Sequence, residues 1–502
     1  MRLLTAFLPL FLLLAPAFPA KAQTLHVALR EDGDILDPTL ATTYVGRIVF
    51  AGLCDKLFDI DEKLQIVPQL ATGYEWSDGK TLILHLRPNV QFQDGEPFDA
   101  AAVKYGLERH LTMQGSFRRA ELSAIDHIEV VDPMTVRIVL KNPSGPFLSQ
   151  LTDRAGMIVA PKAAQAEGKD FGLHPVCNGP FKFVERVPQD RIVLEKFPGY
   201  WNASAIHFDK VIYQPIVDSQ VEIANLHTGT IDIAERVLPT DVAAVKADKN
   251  LRIVTSPALG YQYIIFNVGN SDKAKSPIGQ NALLRQAFEA AIDRQAINEV
   301  VYNGMYVPDA QGVSPASPMH LKGFDPAPRD IEKAKALVKQ SGVPTPIQVE
   351  MMVPNSPDFA QAAEVIQAMV KDAGFDVKIR LTEFASSLSA AAQGDFQAYM
   401  LMWSGRVDPD GNLYAFLHGG SAGNYGRYAN PVADAGLDAA RNSTDLATRI
   451  DAYTKTMTQM RTDVPVIFLD HPVNIVGMSA KVQGFRSVPD GMIRLQGLSL
   501  TP

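Results

Sequence analysis

Cysteine is almost absent: Cys54 and Cys177 are the two in 502 residues. There is no C-x-x-C pair, and none of the ten histidines has a metal-type side chain four residues on. That argues against a structural metal site, and no cofactor is expected. Positive charge is not in excess either. Lysine and arginine number 47 against 55 acids, a formal net charge of −8. Such a balance gives no electrostatic reason to bind nucleic acid or an anionic membrane. Beyond residue 22 no stretch approaches the ~18 uninterrupted apolar residues a membrane-spanning helix needs. Internal repeats and low-complexity linkers are also missing. What remains is ordinary globular composition, 46% hydrophobic and 20% charged, in a chain long enough for more than one core.

The first 22 residues stand apart. Arg2 precedes an apolar run from Leu3 to Leu14, broken by Thr5 and Pro9, and Ala20-Lys21-Ala22 places small residues where a signal peptidase reads. This is a secretory signal peptide, with cleavage expected after Ala22 and periplasmic export implied; a membrane anchor is the other reading. No cysteine ends the run, so a lipid anchor is not expected. Removing residues 1–22 takes away Arg2, Lys21 and no acid, which moves the charge from −8 to −10. Export permits oxidation, so a Cys54–Cys177 disulfide is expected, two buried thiols being the alternative.

Periodicity divides the rest. Leu25, Val27 and Leu29 share one face of an opening strand. Residues 75–82 form a hairpin whose turn is expected at Asp78-Gly79, both at positive φ. Asp99 caps a helix with Val103, Leu107 and Leu111 on one side. Further hairpins turn at Asp132-Pro133 and near Pro188-Gln189-Asp190. This half is strand-rich with antiparallel connections. From Asp330 onward strands and helices alternate, through strands near 347–353, 375–381 and 396–402, as in a sheet with crossover helices. A long helix near 444–461 precedes the apolar strands 464–469 and 473–476. Two sheet systems without a linker imply lobes joined by more than one chain crossing.

Three enzyme-like matches fail on context. Gly419 to Gly423 fits G-x-S-x-G, and Asp445 or Asp463 and then His471 follow in hydrolase order. The nucleophile must sit between a buried strand and a helix, whereas residues 424–431 (NYGRYANP) cannot start one. Gly73 to Thr81 resembles a phosphate-binding loop but is one residue too long and lies on a hairpin. Asp408, Asp410 and Asn412 offer calcium-loop oxygens, yet Gly419 stands where the bidentate Glu belongs.

Leu36-Asp37-Pro38, Asp55-Lys56-Leu57-Phe58 and residues 64–70 (LQIVPQL) resemble the opening of the bacterial extracellular solute-binding proteins of family 5, which serve ABC importers of dipeptides, oligopeptides and nickel. The strongest stretch is 78–109, DGKTLILHLRPNVQFQDGEPFDAAAVKYGLER; residues 178–181 (NGPF), 198–201 (PGYW) and Gln286 to Arg294 are similar to later landmarks. The resemblance implies a mixed α/β, two-lobed periplasmic-binding-protein fold with two hinge crossings. Lobe I would hold 23–255 and the returning 475–502, enlarged by an extra strand-rich subdomain, and lobe II 256–474. It implies a non-enzymatic monomer that closes on a small molecule or short peptide and delivers it to an ABC permease in the inner membrane. An anionic chelate, opine or other carboxylated solute is the alternative ligand; a secreted hydrolase using Ser421 is a remote one, and a sensor or chaperone could use the same cleft.

The resemblance also nominates ligand-binding residues: Tyr44 and Arg47 in the loop after the first strand, Arg118, Arg154, Tyr261 at the first crossing, and Trp403, Arg406 and Asp408 after a lobe II strand. Each has a plainer reading as a packed aromatic or an ion-paired side chain. One departure stands out. Peptide-binding relatives carry an acid three residues after that tryptophan, to hold the ligand's amino terminus; here the position is Arg406. The expectation is that Arg406 binds an anion on the ligand, unless it braces Asp408 or Asp410.

Overall fold

The computed structural model describes residues 23–501, so the expected signal peptide and its cleavage site lie outside the described residues. A seven-stranded sheet runs in the order 251–257, 473–479, 233–234, 24–29, 210–215, 191–196, 181–187. The first strand, Thr24–Leu29, pairs in parallel with Lys210–Pro215 and with Ile233–Ala234. This half is therefore mixed rather than antiparallel throughout. Parallel partners lie across long crossovers, and a local pattern cannot show them.

A four-stranded antiparallel sheet (71–78, 81–86, 135–140, 125–132) forms a separate layer over the helix Ala100–Thr112. Asp99 accepts from the amide of Ala102 at its start. The first hairpin corrects the turn assignment by one residue. Asp78 pairs with Thr81, leaving Gly79-Lys80 as the loop, and neither has positive φ. The Asp78 carboxylate takes the amides of Lys80 and Thr81 at 2.8 and 2.7 Å, so a side-chain turn replaces the mirror-image backbone turn.

The second large sheet has six strands, in the order 307–308, 466–471, 261–266, 398–403, 347–354, 375–382. Strands 347–354, 375–382 and 398–403 pair in parallel through crossover helices, as the alternation predicts. Both faces are covered, which explains the continuous run Tyr261–Phe266. Tyr261, Tyr263 and Ile265 enter one core and Ile264 and Phe266 the other.

The chain passes between the two large sheets twice, at Ala258–Gly260 and at Pro472. The crossings touch: the Ala258 amide donates to the Pro472 carbonyl at 3.1 Å, and His471 Nδ1 lies 2.8 Å from the Gly260 carbonyl. The C-terminal segment returns Met492, Ile493, Leu495 and Leu498 to the core of the first sheet. In that core Cys54 and Cys177 are joined by a disulfide with Cα atoms 5.0 Å apart.

Candidate functional site

Between the sheets lies a cavity of about 810 Å³. Its first wall comes from the segment leaving Thr24–Leu29, the helix start at Tyr44, residues 116–121, Arg154, and the helix carrying Glu222. The opposite wall is the C-terminal end of strand 398–403, the segments 354–359 and 414–423, and Tyr263. Strand C-terminal ends in open α/β sheets leave such a crevice.

Four guanidinium groups cluster at one end. Arg154 is 1% exposed, and its Nη1 donates to the carbonyls of Ala41 and Thr43 at 2.8 and 3.4 Å. Its Nε has no partner. Burial, with Arg118 beside it, pushes its pKa well below the usual arginine range. Arg118 meets Glu121 at 2.5 Å and the Ala41 carbonyl at 3.3 Å. Arg47 and Arg406 share Asp153, with Nε atoms 3.1 and 2.6 Å from Oδ2. Burial opposes ionisation of Asp153, but Arg406, Arg47, Arg154 and Arg118 outweigh it and hold the carboxyl well below its usual range. Four cations thus face two anions in this cluster.

The other end is built differently. Arg30 pairs with Glu235, its Nε 2.9 Å from Oε1, and Arg236 pairs with Asp358 across the lobes. Beside these pairs Glu31 and Glu222 line the cavity, and no ion pair engages either among the described residues. Glu222 is 3% exposed and its Oε1 has no hydrogen-bond partner. Burial raises both carboxyls to about 8. Tyr44 stands between the ends, within electrostatic reach of Glu235 and Arg30 on one side and Arg47 on the other. Trp403 forms part of the far wall, with Phe416 at 4.5 Å and the Arg406 guanidinium stacked 4.5 Å from its ring.

Of the nominated residues, Tyr44, Arg118, Arg154 and Trp403 line the cavity. Four do not. Tyr261 is a core residue whose hydroxyl donates to the Asn412 carbonyl at 2.5 Å. Asp408 is held by both Arg449 Nη atoms, at 2.5 and 2.8 Å. Arg47 is spent on Asp153 and on Ser404, whose Oγ it meets at 3.2 Å. Arg406, expected to bind a ligand anion or to brace Asp408 or Asp410, pairs with neither of those acids and does not line the cavity. Those acids are taken by Arg449 and Arg441, and Arg406 reaches across the lobes to Asp153, a partner remote in sequence.

Sequence reasoning missed Glu31 and Glu222. Glu222 carried a signal: with Ile223 and Leu226 it falls on the buried face of the helix Ser219–Thr228, where an acid is out of place. The Gly419–Gly423 loop also lines the cavity. It carries no triad: His471 faces Gly260 and Asp309, Asp445 caps a helix, and Asp463 accepts from Tyr428 and Asn430. The calcium-like oxygens are likewise engaged by arginines, and among the described residues no cluster of ligating side chains could hold a metal ion. No helix among them is long and apolar enough to cross a membrane.

A family model described as "Bacterial extracellular solute-binding proteins, family 5 Middle" matches residues 65–424. The glutathione-binding protein GsiB of Pectobacterium atrosepticum is 30% identical over 97% of this chain and 96% of its own length. Among solved structures, the periplasmic binding protein DppA of Helicobacter pylori, in complex with the peptide STSA, superposes with a TM-score of 0.87 at 25% identity, covering 95% of this chain and 98% of that one. The agropinic-acid complex of AgaA from A. tumefaciens R10 gives 0.85 at 26%, covering 96% and 99%.

Proposed function

The chain belongs to the bacterial extracellular solute-binding proteins of family 5, and on that premise we propose that it captures a peptide-like solute bearing a carboxylate and delivers it to an ABC permease. The carrying observation is Arg154, buried at the cavity wall with no carboxylate of its own. A guanidinium stays charged when desolvated and donates in a planar fork matched to a carboxylate. A ligand that places an anion there supplies the missing counter-charge. It also touches both walls, so it stabilises the closed form by its differential affinity for it.

The volume suits a short peptide or a compound of similar size. The relatives named for glutathione, a tetrapeptide and agropinic acid support a carboxylated ligand of this kind. Export to the periplasm with cleavage after Ala22 belongs to the same reading, as does action as a monomer without catalysis. The test is calorimetry with glutathione, tripeptides and an opine, each also as its carboxamide. The free acid of at least one should bind with the carboxamide at least tenfold weaker. Equal binding of acid and amide would remove the anion from the recognition scheme.

A further inference from the structure

The two ends of the cavity carry unpaired groups of opposite kind, guanidiniums at one and carboxyls at the other. At the Arg154 end the guanidiniums outnumber the carboxylates; at the Glu222 end Arg30 and Arg236 are consumed by Glu235 and Asp358. Glu31 and Glu222 remain. We propose that Glu31 and Glu222 form the site for a cationic group of the solute, an α-ammonium or a comparable amine, so that the bound molecule lies with its amine toward lobe I's first strand and its carboxylate toward Arg154. The proposal rests on the carboxylate reading above and adds the ligand's second pole and its direction.

Geometry carries it. Glu31 directly follows the strand Thr24–Leu29 and lines the cavity. Glu222 sits in the first turn of the helix Ser219–Thr228, 3% exposed, with Oε1 lacking any donor. A buried acceptor left without a donor is costly unless a ligand supplies one. The charged groups around the pair are Arg30, Asp34, Glu235, Arg236 and Asp241. Arg30 and Arg236 already face carboxylates, and the others are acids. On the opposite side Arg406, three residues after Trp403, faces Asp153 and does not line the cavity. That wall therefore offers no acid from this loop for an amine.

A proton balance follows. Burial raises the two carboxyls to about 8, which favours their protonated form at pH 7. An arriving cation favours the carboxylate and expels a proton to the buffer.

The experiment is calorimetry at pH 7, in two buffers of different ionisation enthalpy, with glutathione and trialanine in three forms each: unmodified, N-acetylated and carboxamidated. The expected result is release of up to one or two protons with the unmodified compound that binds, at least tenfold weaker binding after N-acetylation, and loss of the release in Glu31→Gln/Glu222→Gln. N-acetyl forms that bind within threefold of the parent, while the carboxamides bind weakly, overturn the amine site and leave the carboxylate reading standing. Carboxamides as tight as the parent, with weak N-acetyl forms, overturn the carboxylate reading, and the amine site then stands alone. Failure of all six compounds to bind overturns both. The acetylation arm needs no variant, so a misfolded double mutant cannot rescue the idea.

Discussion

The arginine end and the carboxyl end of the cavity both bury ionisable groups without full compensation, but the two kinds of group answer burial differently. A carboxyl can escape by taking a proton, and burial drives Glu31 and Glu222 to do so near neutral pH. A guanidinium has no such escape within the physiological range, so Arg47, Arg118, Arg154 and Arg406 must find partners in the fold or in the ligand. The fold answers in part: Asp153 serves Arg47 from its own lobe and Arg406 from the other, and Glu121 serves Arg118. One end is therefore structural, braced by ion pairs of the fold, and the other soft, set by carboxyls that burial drives toward the neutral form. The structural end also draws the lobes together, because Arg406 and Ser404 come from one sheet system and Asp153 and Arg47 from the other.

The largest effect is expected where one acid serves two cations. Asp153→Asn leaves Arg47 and Arg406 buried without a carboxylate, and breaking a buried pair in this way costs about 3–5 kcal/mol. Calorimetric unfolding should show the loss at every pH from 6 to 9. A variant as stable as the parent would mean that the arginine end is wet and that its ion pairs do not hold the lobes. Arg154→Met comes next. It removes the cation without a carboxylate of its own, so stability should hold or rise while binding of a carboxylated solute weakens. A charge pair lost from a dry cleft costs about 2–5 kcal/mol, roughly 30-fold to several thousand-fold in affinity. Titration of Arg154→Met with the tightest-binding carboxylate decides it, and a change under threefold would move the anion site elsewhere.

Legibility in the sequence follows the same division. Local chemistry could be read: the Asp99 cap, the alternating Leu82, Leu84 and Leu86, and the strand–helix alternation from Asp330 onward. The parallel pairing of Thr24–Leu29 with residues 210–215 could not, because its partners meet only after long crossovers. At the site, Tyr44, Arg118, Arg154 and Trp403 reach the wall because the segments that carry them do. For Arg406 the sequence showed the position and not the partner it meets in the fold, Asp153. Asp153 lies far away in sequence, and nothing local distinguishes an arginine that meets a ligand from one that meets another lobe. Glu222 was overlooked for the opposite reason: an acid on an exposed-looking helix draws no attention until its face is known to be buried.

The smallest expected effect separates the two ends most cleanly. The Glu222 carboxyl is raised by burial from its ordinary value to about 8. A carboxyl whose pKa is higher in the folded state than in the unfolded one contributes stability that is fully present below the unfolded value, about 4.3. That contribution is lost as pH rises through about 8, because the folded protein must then hold a buried anion. Glu222→Gln is neutral throughout. The variant should match the parent near pH 4.5 and become progressively more stable than it toward pH 9. One pK unit of difference corresponds to about 1.4 kcal/mol, so a gap of at least that size is expected at pH 9 in thermal unfolding of the empty protein. Arg154→Met changes no carboxyl and is the comparison variant over the same range. If the Glu222→Gln gap is flat with pH, the carboxyl end is already ionised and solvated in the empty cavity. The contrast between a soft and a structural end would then collapse into two ordinary polar walls.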